Sequence, residues 1–270
     1  MSNYIHGSEP EEQARLAQLN ELINKRCLDL LPLNNGARVL DIGSGLGQFT
    51  ISMATIVGDR GWCLGIERDQ NQLHSAAANL ARSGRANVEF RKGNAENLEL
   101  RHDEWGSFDL AHTRFVLEHV KEPENVVRGM ARAVKSGGKV VLLDDDHAHF
   151  VLDPEPAGFS TIWQAYIRSY DKLGNDPFIG RRLVNILYQC GLRDIRNNAV
   201  FMGDSSESPT FRAYVTNLIG ILEGAKSLML RHGLIAEDTF HDAIAAIHVW
   251  AKRPDAALWY TINWAAGTKL

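Results

Sequence analysis

Three groupings of side chains in this sequence have the types and spacing to do chemistry. The first is Asp41-Ile42-Gly43-Ser44-Gly45-Leu46-Gly47, an acid followed by glycines at three alternate positions. Each glycine removes a Cβ where a backbone must turn sharply or let a ligand come close. A carboxylate two residues before the first glycine would repel a pyrophosphate and suits a ligand that brings an ammonium group and hydrogen-bond donors. The second is Glu67, 24 positions after Gly43, near the ~20 expected of an acid that accepts from ribose hydroxyls. The third is Asp144-Asp145-Asp146-His147-Ala148-His149, a carboxylate and imidazole cluster with His119 upstream of it. Unperturbed histidine titrates near pH ~6.5, so His119 or His147 can accept a proton at neutral pH.

Positioning these groups requires strands that end at them. Val39, Leu40 and Ile42 form a short apolar run suited to a strand buried on both faces, and a helical pattern from Phe49 to Val57 follows the glycines. Such a helix would point free N–H groups and its positive dipole end at whatever lies on the turn. A second strand runs from Gly61 to Glu67, then a helix at about 70–83, then a third strand from Val88. Glu67 has a second reading as a cap for the helix near Asp69. Arg68 has three: it lies over an adenine face, neutralises Glu67 or points into solvent. Asn94, just past the third strand, can donate to and accept from a purine edge or close an Asx-type turn. The fourth strand begins at Ser107, a helix at about 123–135 follows, and Lys139 to Leu143 make the fifth. Consecutive strand residues face opposite ways, so the Asp144–Asp146 run cannot converge on one ion, and we read no metal site.

The acid-led glycine turn resembles the first motif of the class I S-adenosylmethionine-dependent methyltransferases. Asn94-Ala95-Glu96 is similar to the third-strand motif of that family, which usually carries Asp-Ala. The run Arg114-Phe115-Val116-Leu117-Glu118-His119 resembles its small-molecule branch, typified by quinone-biosynthesis methyltransferases. The resemblance covers roughly residues 36–145. It implies a doubly wound, Rossmann-like α/β fold: a mostly parallel seven-stranded sheet with helices on both faces, an N-terminal helix and helical lid insertions. It implies S-adenosyl-L-methionine as cofactor, held by Asp41, Gly43, Ser44, Gly45, Gly47, Glu67, Arg68, Asn94, Ala95, Glu96 and Arg114. Tyr4 joins these because leaders of this kind close over the cofactor in the family. The implied reaction passes a methyl group to an oxygen, nitrogen or carbon of a small molecule. His147, in the loop where the family often meets its acceptor, ranks ahead of His119 as a base; His119 also has a packing role open to it.

Composition bounds the rest. In 270 residues, 44% are hydrophobic and 23% charged, with a net charge of −4 and no basic block, so nucleic acid is not the expected partner. Cys27, Cys63 and Cys190 form no C-x-x-C pair, which fits a reducing compartment. No signal peptide and no membrane-length apolar run is read, so the expected location is cytoplasmic. An NAD(P)-dependent oxidoreductase would share half the fold, but Asp41 and the alternate glycines speak against it, and no Tyr-x-x-x-Lys pair occurs. A non-catalytic cofactor-binding protein would keep the turn without needing an acceptor pocket.

Outside the core, residues 8–31 read as a helix opened by a Ser8–Glu11 capping box. Phe159, Trp163, Tyr166 and Tyr170 fall on one helical stripe, a buried face or an aromatic pocket wall. A helix at 178–190, a strand at 194–201 and a last strand at 257–264 follow. Between those two strands lie helical patterns at about 209–232 and 236–251, either a substrate lid or a homodimer surface. The expected organisation is one domain over 1–270: a helical cover (1–35), a cofactor-binding core (36–150) and a substrate-side half (151–270) with an insertion at about 204–255.

Overall fold

The computed structural model describes residues 10–270, so Tyr4 and the Ser8 cap lie outside the described residues. Helix α1 (Pro10–Leu28) precedes β1 (Arg38–Ile42), α2 (Gln48–Val57), β2 (Trp62–Glu67), α3 (Gln70–Ser83), β3 (Val88–Lys92) and β4 (Phe108–Arg114). Then come α4 (Pro123–Ala133), β5 (Val134–Asp145), β6 (Val151–Asp153), α5 (Phe159–Asp171), α6 (Leu183–Gln189) and β7 (Arg193–Phe201). The chain closes with β8 (Asp204–Ser205), α7 (Phe211–Arg231), α8 (Glu237–Trp250), β9 (Ala257–Trp259) and β10 (Thr261–Thr268).

Seven strands form one sheet in the order β3-β2-β1-β4-β5-β10-β7. The first five run parallel, and β10 is antiparallel to both neighbours. Buried side chains alternate between two apolar layers, as period-2 strands require. Val39, Leu110, Val141 and Leu143 join α1, α2, α5, α7 and α8 on one face. Leu40, Ala111, Val140 and Leu142 join α4 and α6 on the other. Because the sheet is covered on both faces, the strand ends carry the polar chemistry.

Three element boundaries differ from expectation. The last strand is two: β9 pairs with β6 and β8 in a small antiparallel sheet, and β10 enters the main sheet. Tyr260 lies between them with its ring buried. The 178–190 helix is a 3-10 turn (Ile179–Arg182) followed by α6. There Gly180 packs so closely that a Cβ would lie 2.8–2.9 Å from the carbonyl oxygens of Asp145 and Asp144. Strand β5 starts at Val134, ahead of Lys139: Val134 pairs with Phe108 and Lys139 with Leu110, and the residues between them bulge out of register, Gly137 at φ +78°.

The insertion spends its apolar face inside the fold. Phe211, Tyr214, Leu218, Leu222 and Met229 of α7 are buried in the same layer as Trp163 and Tyr166 of α5. That face is therefore not available as a dimer surface. Deleting the segment would open the core, since each such side chain contributes about 1.5–3 kcal/mol of burial. No helix among the described residues is long and apolar enough to cross a membrane.

Candidate active site

The carboxyl ends of β1 to β4 open onto a cavity of about 570 Å³. Asp41 sits on its wall, buried, accepting from Thr50 Oγ1 at 2.5 Å and paired with His112 Nδ1 at 2.7 Å. Gly43, Ser44 and Gly45 carry the turn past it, each of the two glycines at positive φ. Glu67 is held from three sides: Oε2 accepts from Gly45 N at 3.0 Å, and Oε1 from Arg68 N and Asp69 N at 2.8 Å each. Burial raises its carboxyl above the usual range, and those three N–H groups only partly offset this. Asp69, not Glu67, caps α3, accepting from Asn71 N and Gln72 N.

Arg68, Asn94 and Ala95 line the same cavity. Arg114 reaches it with Nη2 fixed by Asn20 Oδ1 (2.7 Å) and Asn24 Oδ1 (2.9 Å), its guanidinium 4.2 Å above the Phe49 ring. Three buried polar atoms of lining residues have no partner: Ser44 Oγ, His112 Nε2 and Arg114 Nη1. Buried polar groups are ordinarily hydrogen-bonded, so these three mark where a polar ligand belongs.

Two of the expected residues lie off the cavity wall. Gly47 does not line the cavity: a Cβ there would run into the Phe90 ring and come within 3.0 Å of Ala76 Cβ, so its bareness serves helix–strand packing. Glu96 does not line it either, because its Oε1 accepts from Lys121 N (3.2 Å) and Glu122 N (3.0 Å). The sequence reading also missed His112, Asn20 and Gln48 as lining residues. The alternation of β4 would have placed His112 on one face of that strand; its pairing with Asp41 needed the β1–β4 register.

A smaller annex of about 70 Å³ adjoins the cavity, sharing Phe115 and His119 with it. Phe115 holds φ +56°, a left-handed conformation that a bulky side chain adopts only when its surroundings impose it. Trp163, Tyr166 and Tyr170 of α5 wall the annex, so the aromatic stripe is both a buried face and a pocket wall. Inside lie Glu118, Asp145 and His147. His147 is flanked by hydroxyls on both nitrogens: Tyr170 Oη at 3.0 Å from Nε2 and Tyr260 Oη at 3.1 Å from Nδ1. Glu118 faces both imidazoles, Oε1 at 3.3 Å from His119 Nε2 and Oε2 at 3.4 Å from His147 Nε2.

Strand alternation splits the acidic run as expected. Asp144 turns to the backbone, accepting from Leu117 N (2.8 Å) and Asp145 N (3.0 Å). Asp146 takes a bidentate pair with Arg181 (2.6 and 2.7 Å). Only Asp145 enters the annex. Burial and then the Glu118 charge push its carboxyl up to about 7, against the pull of His147 and Tyr260. Burial alone would lower His147, but Glu118 and Asp145 outweigh it and the imidazole is raised.

Residues 33–165 match the family model described as a methyltransferase domain. The demethylmenaquinone methyltransferase of Desulfitobacterium hafniense (strain Y51) is 29% identical over 191 residues, 64% of this chain and 72% of that protein. Among solved structures, the YcgJ protein of Bacillus subtilis superposes with a TM-score of 0.59 at 16% identity, over 92% of this chain and 98% of that one. A SAM-dependent methyltransferase of Aquifex aeolicus gives 0.55 at 19% identity, over 72% and 94%. An acid-led glycine turn, a fixed Glu67 and orphaned polar atoms around a strand-end cavity agree with these matches: residues 33–165 are similar to methyltransferase domains, in a fold shared with a SAM-dependent methyltransferase.

Proposed function

We propose that this enzyme methylates a small molecule seated in the annex, with S-adenosylmethionine in the larger cavity. The observation that carries the reading is adjacency: the cavity with three orphaned polar atoms shares Phe115 and His119 with a walled annex holding a histidine and two carboxylates. Glu67 offers its carboxylate to the ribose hydroxyls, and Asn94 and Ala95 meet the adenine, with Arg68 beside it. Asp41, the Gly43–Gly45 backbone and the free Nη1 of Arg114 serve the amino-acid end. When bound, the sulfonium supplies an electrophilic methyl group. The chain supplies alignment, worth ~7–11 kcal/mol of a bimolecular barrier when acceptor and donor are held at attack geometry. The aromatic walls fit an acceptor with an apolar or aromatic body.

His147 takes the acceptor's proton in this scheme, its ring held by Tyr170 and Tyr260. His119, stacked on Tyr170 with ring centroids 6.0 Å apart, positions the entrance. Because the His147 pKa is raised, the base is protonated and inactive at low pH. Turnover should rise with pH through a midpoint above the unperturbed ~6.5. His147→Ala should lower kcat by about 10²-fold or more while calorimetry shows unchanged cofactor affinity. Equal turnover in parent and variant would leave an enzyme that works by positioning alone.

Glu67→Ala should weaken S-adenosylmethionine binding by ~1–3 kcal/mol, roughly 5- to 150-fold, through lost charge-assisted hydrogen bonds. Calorimetry checks this, with NAD(P) as the control. Parent-like affinity in the variant would remove the ribose role, and preference for the nicotinamide would remove the cofactor assignment.

A further inference from the structure

The annex holds more unpaired acceptor capacity than its own residues use. Glu118 is 3% exposed, yet its Oε2 receives no hydrogen bond of normal geometry. Asp145 Oδ1 is likewise buried and unpartnered. Both residues line the annex, and one ligating atom from each of Glu118, Asp145 and His147 lies within 4.8 Å of the others. A buried carboxylate oxygen without a donor costs several kcal/mol, so two facing one small space call for a donor that arrives from outside.

A cationic donor suits two acidic groups that face one small space. Asp144, directly behind the annex, is pushed well up by burial and then by the Glu118 charge, and Asp145 by the same two causes. Arg181 is committed to Asp146 on the far side. Arg15 reaches the annex from α1, and its Nη1 donates to Asn217 Oδ1 at 2.5 Å, at the end lined by α7. Neither arginine makes a hydrogen bond to Glu118 Oε2 or Asp145 Oδ1, and the imidazole nearest Glu118 Oε2, His147 Nε2, stands back at 3.4 Å.

A metal ion and an organic ammonium are the two chemistries to separate. Both His147 nitrogens already face tyrosine hydroxyls at 3.0 and 3.1 Å, so a metal on the imidazole would have to displace one of those hydroxyls. With the remaining two carboxylates a hard cation would need several waters to reach six or more oxygens, and the annex of about 70 Å³ has little room for them. An ammonium needs only acceptors ~2.8 Å from nitrogen, so it bridges oxygens up to ~5.6 Å apart. Aromatic walls from Tyr166, Tyr170, Trp163 and Tyr260 add cation–π attraction that a hydrated metal ion would not use.

We propose that the methyl acceptor is an amine, bound as its ammonium form between Glu118 and Asp145 against the aromatic walls. Calling the occupant the acceptor rests on the methyl-transfer reading above; the site's preference for an ammonium does not. On transfer, a proton leaves the nitrogen for His147, and the nitrogen lone pair forms the new C–N bond. The C–S bonding pair returns to sulfur, leaving an N-methylammonium and a thioether.

The test is calorimetry on the full chain, first alone and then saturated with S-adenosylhomocysteine. Benzylammonium is titrated against its neutral counterpart benzyl alcohol, and zinc ion is titrated separately. The parent should prefer benzylammonium by tenfold or more, and both Glu118→Gln and Asp145→Asn should cut that preference to under twofold at parent-like melting temperatures. No preference in the parent, or a preference that survives both substitutions, overturns the proposal. Zinc binding that depends on Glu118, without ammonium binding, also overturns it and makes the annex a metal centre. Failure to bind S-adenosylhomocysteine with the ammonium preference intact would count against the methyl-transfer reading and not against the amine site.

Discussion

Gly45→Val should abolish S-adenosylmethionine binding, by ~100-fold or more in Kd, while the protein stays folded. Gly45 faces the cavity, and a Cβ built on it meets only Gln72 Oε1, at 3.1 Å, the movable end of a side chain. The fold can therefore accept the first carbon. The two γ carbons would then stand in the space the ligand needs, and an affinity change of that size corresponds to roughly 2.7 kcal/mol. The φ of +53° adds ~1–2 kcal/mol of backbone strain for an L-residue, enough to lower Tm by only a few degrees in a chain this long. Calorimetry and a thermal melt on the same sample check both halves. A variant that binds as the parent does would remove Gly45 from the site.

Gly47→Val should do the reverse, with a large loss of stability as its primary effect. A Cβ at Gly47 overlaps the Phe90 ring and crowds Ala76 of α3, in a chain position with φ +75°. Overpacking costs ~1–3 kcal/mol and the left-handed backbone another ~1–2, so Tm should fall on the order of 10 °C. Two glycines one residue apart in the sequence motif thus separate cleanly: one by affinity at nearly constant Tm, the other by Tm. A parent-like melt for Gly47→Val with lost binding would contradict this division.

That pair shows where sequence was sufficient and where it was not. The buried runs Val39–Ile42, Cys63–Ile66 and Val140–Leu143 announced the parallel strands, because a strand covered on both faces is apolar at nearly every position. Glu67 followed from its spacing to the turn. Direction, however, is a property of the folded backbone: nothing in the string Gly-Ser-Gly-Leu-Gly says which glycine faces ligand and which faces Phe90. The annex was less legible still. Its aromatic stripe was visible as helical periodicity, but Glu118, Asp145, His147 and Tyr260 meet only when three separate segments converge. Tyr260 was hidden because the apolar pattern ran unbroken through it, whereas the chain changes sheets there. The alternation of Asp144, Asp145 and Asp146 was readable, and it sorted the three carboxylates into a backbone cap, an annex wall and an Arg181 partner.

The paired strands β7 and β10 give the molecule a graft point. Phe201 and Thr261 are cross-strand neighbours, so the chain leaves the sheet at one and returns beside it at the other. Among the described residues, all that line the larger cavity lie between Asn20 and Val120. Met202, Asn217, Ile221 and Tyr260, which wall the annex, all lie in the excursion between those neighbours. One contiguous cassette, spliced at adjacent ends, therefore carries four of the annex walls and can be exchanged without rewriting a described residue that lines the larger cavity.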